Sequence, residues 1–118
     1  MPEEPRDVCD GTLTVRTSVN GEGHLVAFCG ELDLANAETA KAELGAAFEA
    51  AEGEVVLDLR ELEFIDSTGI ALLVATLRRE GDASRLRCIP STALAVTRVL
   101  QLTGIGPKLP VAEGSASH

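Results

Sequence analysis

Residues 55 to 77, VVLDLRELEFIDSTGIALLVATL, carry an apolar strand through Asp58 and Phe64 into Asp66-Ser67-Thr68-Gly69 and then straight into an apolar helix. The junction sets one hydroxyl, that of Ser67, at a helix start. Backbone N–H groups are free there and the helix macrodipole is positive, so a phosphate can be accommodated or a side-chain oxygen can cap. Gly69, in the first helical turn, allows another backbone to approach closely.

The flanking sequence predicts the rest of one domain. Thr12 to Thr17 alternates as a half-buried strand, Asn20-Gly21-Glu22-Gly23 is turn chemistry, and His24 to Cys29 is a second strand, so a β-hairpin opens the fold. From Asn36 to about Ala51 the residues Ala37, Ala40, Leu44, Ala47, Phe48 and Ala51 recur at helical spacing, with Asp33 or Asn36 able to cap the start and Gly53 following the end. Val55 to Leu59 has the pattern of a central strand covered on its faces. The helix from Ser67 presents Ile70, Leu73, Val74 and Leu77 on one stripe and ends near Gly81; Arg85 to Ile89 is a further strand. Pro90-Ser91 starts a last helix with Ala93, Val96, Leu100 and Thr103 on one face, stopped by Gly104 and Gly106-Pro107, and Lys108 to Glu113 adds an edge strand. Strands and helices alternating after a hairpin give an α/β domain, a mixed and mostly parallel sheet with helices packed on it. The domain spans 11–112, with residues 1–10 and 113–118 as frayed ends.

Composition excludes several functions. Ten Lys and Arg against nineteen Asp and Glu give a net charge of −9, which repels nucleic acid phosphates and anionic lipid head groups. Trp and Tyr are absent and Phe28, Phe48 and Phe64 are the only aromatics, so base-stacking platforms cannot be built. Three cysteines without CxxC spacing and two histidines do not make a zinc set, and no phosphate-cradling glycine loop implies a nucleotide or other cofactor. Cys29 and Cys88 lie within apolar runs and are expected as reduced, buried small hydrophobes. The acidic, proline-bearing N-terminus and the lack of a run near ~18 apolar residues predict a cytoplasmic protein with no membrane partner.

Each candidate residue has a structural reading beside its functional one. Ser67 is an N-cap or a modifiable hydroxyl, and spacing alone does not separate the two. Asp33 is a helix cap or turn former, or a partner contact. Leu62, Phe64, Ile65, Leu72 and Leu73 are core or an apolar docking patch. Asp58 and Asp66 at strand ends lack the acidic pair that a magnesium-dependent phosphoacceptor site needs. Ser67 as an enzymatic nucleophile has no GxSxG elbow, and neither His24 nor His118 is placed beside it by any signal.

Two blocks, GELDLANAETAKAEL (Gly30 to Leu44) and VVLDLRELEFIDSTGIALLV (Val55 to Val74), resemble at this separation the signature blocks of STAS domains, specifically bacterial anti-sigma factor antagonists. The resemblance covers about residues 12 to 112. It implies a non-enzymatic partner switch: the unphosphorylated domain binds an anti-sigma factor that is a serine/threonine kinase and frees a sigma factor. Phosphorylation of the serine after the DSTG aspartate, Ser67 here, releases the kinase, and a serine phosphatase resets the domain. The GELD aspartate carries over to Asp33, and the partner surface to Asp33, Asp66, Ser67, Thr68 and Gly69. The other role compatible with the fold is as a STAS component of a stress-signalling scaffold or lipid-transport complex without serine phosphorylation.

Overall fold

The computed structural model describes residues 5–21, 23–79 and 85–110. Within them the chain forms β1 (Arg6–Asp10), β2 (Leu13–Asn20), β3 (Gly23–Leu32), α1 (Ala37–Ala50), β4 (Val55–Asp58), β5 (Leu62–Ile65), α2 (Ser67–Arg79), β6 (Leu86–Ile89), α3 (Leu94–Thr103) and a 3-10 turn at Gly106–Lys108. The strands make one mixed sheet in the order β1-β2-β3-β4-β6, with β5 also on β3. Pairs among β1, β2 and β3 are antiparallel, whereas β3 with β4, β3 with β5 and β4 with β6 are parallel. The α/β class and the mixed sheet agree with the sequence reading.

The opening is a three-stranded meander, which corrects the frayed end expected for residues 1–10 over its part from Arg6 to Asp10; residues 1–4 lie outside the described residues. From Arg6 the chain pairs with β2, Arg6 opposite Thr17 through Asp10 opposite Leu13. The signal lies in Asp10-Gly11: a two-residue loop needs positive φ, and Gly11 supplies it at 61°. Arg16 then holds Asp7 across the pair at 2.9 Å.

The sequence reading runs one apolar strand through Asp58 and Phe64; the structure divides it, and β5 is a strand of its own. It is a strand because β4 breaks rather than ends: Asp58 accepts the Arg60 N–H at 3.0 Å, Leu62 donates back to Leu59, and the chain resumes beside β3 beyond β4. The register shifts between Gly30 and Glu31, where Gly30 has φ 103° and a Cβ would overlap the Thr12 carbonyl oxygen. Only glycine fits that crossing.

Directly opposed strand residues share a face, and one face is the core. Val26, Leu57 and Cys88 form one row of it, with Leu13, Val15, Phe28 and Leu86 on the same side, all buried. The helices close this face with Ala40, Leu44, Ala47 and Phe48 from α1, Leu72 and Leu73 from α2, and Val96 and Leu100 from α3. The expected α1 stripe is buried as a whole, but in α2 Ile70, Val74 and Leu77 are only partly buried while Leu72 joins the core. Among the described residues β4 is therefore covered by helices on one face rather than two. Val56 and its neighbours Leu25 and Arg87 lie on the opposite face, half-buried, with no described helix over them.

The last third shows two further corrections. α3 starts at Leu94, and the buried Ser91 instead receives the Ala93 N–H at 3.0 Å and donates to the Leu62 carbonyl at 2.9 Å, tying the helix entry to β5. Gly104 ends α3 at φ 76° as the sequence indicates. Lys108 belongs to the 3-10 turn rather than an edge strand, although the Pro110 carbonyl does accept the Cys88 N–H at 2.6 Å. The remainder of that expected strand, the end of the helix near Gly81 and the expected tail 113–118 fall outside the described residues.

The cysteines divide in a way the apolar runs did not reveal. Cys88 is buried, Cys29 half-buried and Cys9 exposed. Burial pushes the Cys88 thiol up to about 12 and raises that of Cys29 as well. Timed labelling with a thiol-specific reagent near pH ~8, read by mass spectrometry, should modify Cys9 first, Cys29 slowly and Cys88 only in denaturant. Prompt modification of Cys88 in the folded protein would contradict this packing.

Asp58 gives the acid limb of stability. Burial works to raise its carboxyl, but hydrogen bonds from the Arg60 guanidinium and backbone, together with its charge, outweigh this and hold it below the ordinary carboxylate value. A depressed carboxyl stabilises above the unfolded value of ~3.9 and loses that contribution as pH falls through the folded value. Asp58→Asn should therefore lower the melting temperature at neutral pH and flatten its fall below about pH 4.

Candidate functional site

The site forms where the ends of β3 and β5 lie side by side and each runs into a helix. Asp66 continues the ladder by donating its N–H to Leu32 O at 3.1 Å, and its own carbonyl accepts the first helical bond from Ile70 at 3.0 Å. Its carboxylate has two partners. Oδ1 accepts the Gly69 N–H at 3.1 Å, and Oδ2 accepts the Leu34 N–H at 3.2 Å from the loop after β3. The cap of α2 is therefore Asp66, not Ser67, because Oδ1 of the preceding residue already satisfies the N3 donor. Ser67 begins the helix exposed, and among the described residues its hydroxyl makes no hydrogen bond.

Gly69 does not admit a backbone as expected; it admits side chains. A Cβ there would lie 2.6 Å from Ile65 Cγ1 and 2.9 Å from Leu32 Cγ. The buried glycine lets α2 sit down on the ends of β3 and β5, which fixes the direction in which Ser67 leaves the fold. Thr68 beside it is half-buried.

The Asp33 loop is braced from within. Asp33 Oδ1 accepts the Ala35 N–H at 3.0 Å, a turn of the kind short carboxylates make. Asn36, 1% exposed, accepts the Asp33 N–H and donates to Glu31 O, both at 3.0 Å. Neither side chain caps α1, contrary to the sequence reading; both are spent holding the loop. Asn36 is the residue whose weight sequence reasoning missed, its signal being a buried amide in an otherwise small and polar turn. The Leu34 bond to Asp66 then places the Asp33 loop against the start of α2.

The apolar residues around the junction split. Leu62, Ile65, Leu72 and Leu73 are core, whereas Phe64 is 43% exposed. Leu34, 75% exposed, was not anticipated. It stands out of phase with the α1 stripe, directly after Asp33, which is the mark that could have found it. Around these two lie Glu31, Asp33, Glu63 and Asp66, an acidic rim. His24 pairs with Val55 at the other end of β3, eight residues from Leu32 and so about 26 Å along the strand from the site. His118 is outside the described residues. Among the described residues no cluster of three acidic, His or Cys side chains could hold a metal ion, and no helix is long and apolar enough to cross a membrane.

The chain belongs to the STAS domain family: the family model described as "Mlab, STAS domain" matches residues 15–110. BtrV of Bordetella bronchiseptica, which bears the name anti-sigma factor antagonist, is 36% identical over 94 residues, covering 77% of this chain and 79% of that protein. Among solved structures, an anti-sigma factor antagonist from Mycobacterium paratuberculosis matches with a TM-score of 0.76 at 24% identity over 89% of each chain. The unphosphorylated form of the anti-sigma factor antagonist SpoIIAA matches at 0.67 and 23% identity over 87% of this chain and 91% of its own.

Chemical denaturation separates the roles of the neighbours. Asp66→Ala removes a cap and the bridge to Leu34 and should cost about 1–2 kcal/mol, whereas Ser67→Ala should stay within about 0.5 kcal/mol. Equal losses in the two variants would mean that Ser67, and not Asp66, holds the helix.

Proposed function

We propose that this protein is an anti-sigma factor antagonist whose partner binding is switched at Ser67. The observation that carries the reading is the Ser67 hydroxyl, which makes no hydrogen bond among the described residues: Asp66 has taken over the capping task, and Ser67 is exposed and next to the Asp33 loop. The family membership and the named relatives support the antagonist role. The resemblance of the two sequence blocks supports an anti-sigma factor serine/threonine kinase as partner and a serine phosphatase as the resetting enzyme. In that role the domain is a substrate and a binding module rather than an enzyme, and it works in the cytoplasm.

The physical chemistry of the switch is local. The γ-phosphoryl group of ATP passes to Ser67 Oγ, ADP leaves, and the hydroxyl proton goes to the kinase. The phosphate brings about −1.5 to −2 charge to a helix start that tolerates it through the macrodipole. The same charge sits beside the Asp66 carboxylate, on a chain already at −9. Against an acidic group of the partner, two unit charges ~4 Å apart at an effective dielectric near ~20 repel by about 4 kcal/mol at the upper end. Leu34 and Phe64, the exposed apolar residues at the junction, supply the contact that this repulsion undoes. Asp33, Thr68 and the backbone around Gly69 complete the surface, Gly69 by setting the pose of α2.

The test is incubation with ATP and the candidate kinase, followed by phosphosite mapping and binding measurements. Phosphate is expected on Ser67 alone. Ser67→Ala should keep the kinase bound, and Ser67→Asp should lose it with an unchanged melting profile. Phosphate on another residue, or a Ser67→Asp protein that still binds as tightly as the parent, would overturn the proposal.

A further inference from the structure

The switch leaves unused a cleft of about 280 Å³ on the helix side of the sheet, between α3, the 3-10 turn and the ends of β4 and β6. Buried Leu59, Cys88 and Leu100 floor it, and the exposed Pro90 and Pro107 stand at its mouth. Two polar side chains border it, the exposed Gln101 and the half-buried Thr97, whose hydroxyl donates within its own helix to the Leu94 carbonyl at 3.4 Å. Leu59 and Pro90 directly follow the parallel strands β4 and β6. Open α/β sheets take their ligands in the crevice beyond such carboxyl ends.

Charge and size define the occupant. The chain has nineteen acidic residues, yet none falls between Arg85 and Pro110, a stretch that holds Arg85, Arg87, Arg98 and Lys108. Arg85 is turned to the carbonyls of Phe48 and Ala51, and Arg87 to Glu54. Lys108 is exposed between Pro107 and Leu109, both of them on the cleft, and has no ion pair among the described residues. Arg98, exposed and likewise without an ion pair there, is the i, i+3 neighbour of Gln101 on α3. Asp58, next to Leu59 in the chain, lies on the opposite face of the sheet in the grip of Arg60. The mouth is therefore cationic and the interior apolar, which calls for a molecule with an anionic head and an aliphatic body. Benzene fills a cavity of ~150 Å³, so 280 Å³ accommodates about ten carbons. We propose that this cleft binds a free aliphatic carboxylate of about ten carbons, its chain against Leu59, Cys88 and Leu100 and its head at Lys108. The site is built without Asp33, Asp66 or Ser67, so its test stands apart from that of the switch.

Calorimetric titration of the full chain with octanoate, decanoate, dodecanoate and decanol tests this. Octanoate should bind about tenfold more weakly than decanoate, the loss expected for two buried methylenes. Dodecanoate should bind no better than decanoate, because the cleft is then full. Lys108→Glu, at an exposed position, should weaken decanoate by about fivefold or more and leave decanol unchanged. Thr97→Leu keeps a good helix former on α3 and fills the cleft, so it should abolish binding of both with little change in melting temperature. In urea below the unfolding transition, decanoate should slow the labelling of Cys88 and leave that of the exposed Cys9 as it was. Anionic phospholipid vesicles should leave the chain in the supernatant, since a net charge of −9 opposes them. An affinity that keeps rising with chain length, a Lys108→Glu protein that binds decanoate as tightly as the parent, or a Thr97→Leu protein that still binds it would overturn the proposal. Sedimentation with the vesicles would assign the cleft to a membrane lipid instead. Absence of binding would leave it to an apolar side chain of another protein or to residues 111–118 of this one, and would equally overturn the proposal.

Discussion

The arrangement around Ser67 depends on one carboxylate. Asp66 satisfies a donor at the start of α2 with one oxygen and a donor in the loop after β3 with the other. A single side chain therefore closes a helix end and ties together two segments thirty-two residues apart in sequence. Both bonds run from backbone N–H to an ionised acceptor, the stronger class of hydrogen bond. Serine in the same place could serve one donor but not two, since a lone hydroxyl is too short to span from the helix to the loop. Aspartate before serine thus divides the labour: the carboxylate holds structure and the hydroxyl is left over. Gly69 completes the constraint from below, because any side chain there would lift α2 off Ile65 and Leu32 and move the hydroxyl with it.

The same division explains how the proposed switch can be sharp without a change of fold. A modification at a capping residue would change helix stability and binding together. At Ser67 a phosphate would enter a position whose oxygen makes no hydrogen bond among the described residues, so its charge would be spent at the surface. The nearby acidic rim sets the sign of the effect, and the helix start limits its cost to the domain. Leu34 and Phe64 keep the site from being a purely electrostatic one. In the proposed switch their exposed apolar area favours contact at all ionic strengths, and modification adds charge to an acidic rim already there.

How much of this was legible in the chain follows from the range of each interaction. α1 could be read whole because six apolar residues at helical spacing report one buried face, and Gly104 because a helix stop is a local matter. The serine after the aspartate was legible as a candidate, since helix starts carry their own chemistry. Its freedom was not: whether Ser67 or Asp66 caps depends on where Leu34 arrives, a contact no local window contains. β5 was hidden because its pairing partner lies in β3, and the break at Arg60-Glu61 reads as a loop until Asp58 is seen folding the turn. β1 was misread for a different reason. Its sequence is polar, and only the Asp10-Gly11 loop announces the strand.

Among the described residues, helices cover one face of the sheet only. A strand covered on both faces would carry an unbroken apolar run, and Val55 to Leu59 looks like one, yet Asp58 interrupts it and points away from the core into the grip of Arg60. That interruption is what the open face consists of: apolar residues diluted by charges that are paired within the molecule. The end of the fold around Ser67 carries the acidic rim instead. The sheet therefore separates two kinds of surface on a small domain. Under the proposed switch, only the one at its edge takes up added charge. The parallel strands make the separation possible, because they bring the helix starts to one end of the sheet and leave the flat of it free.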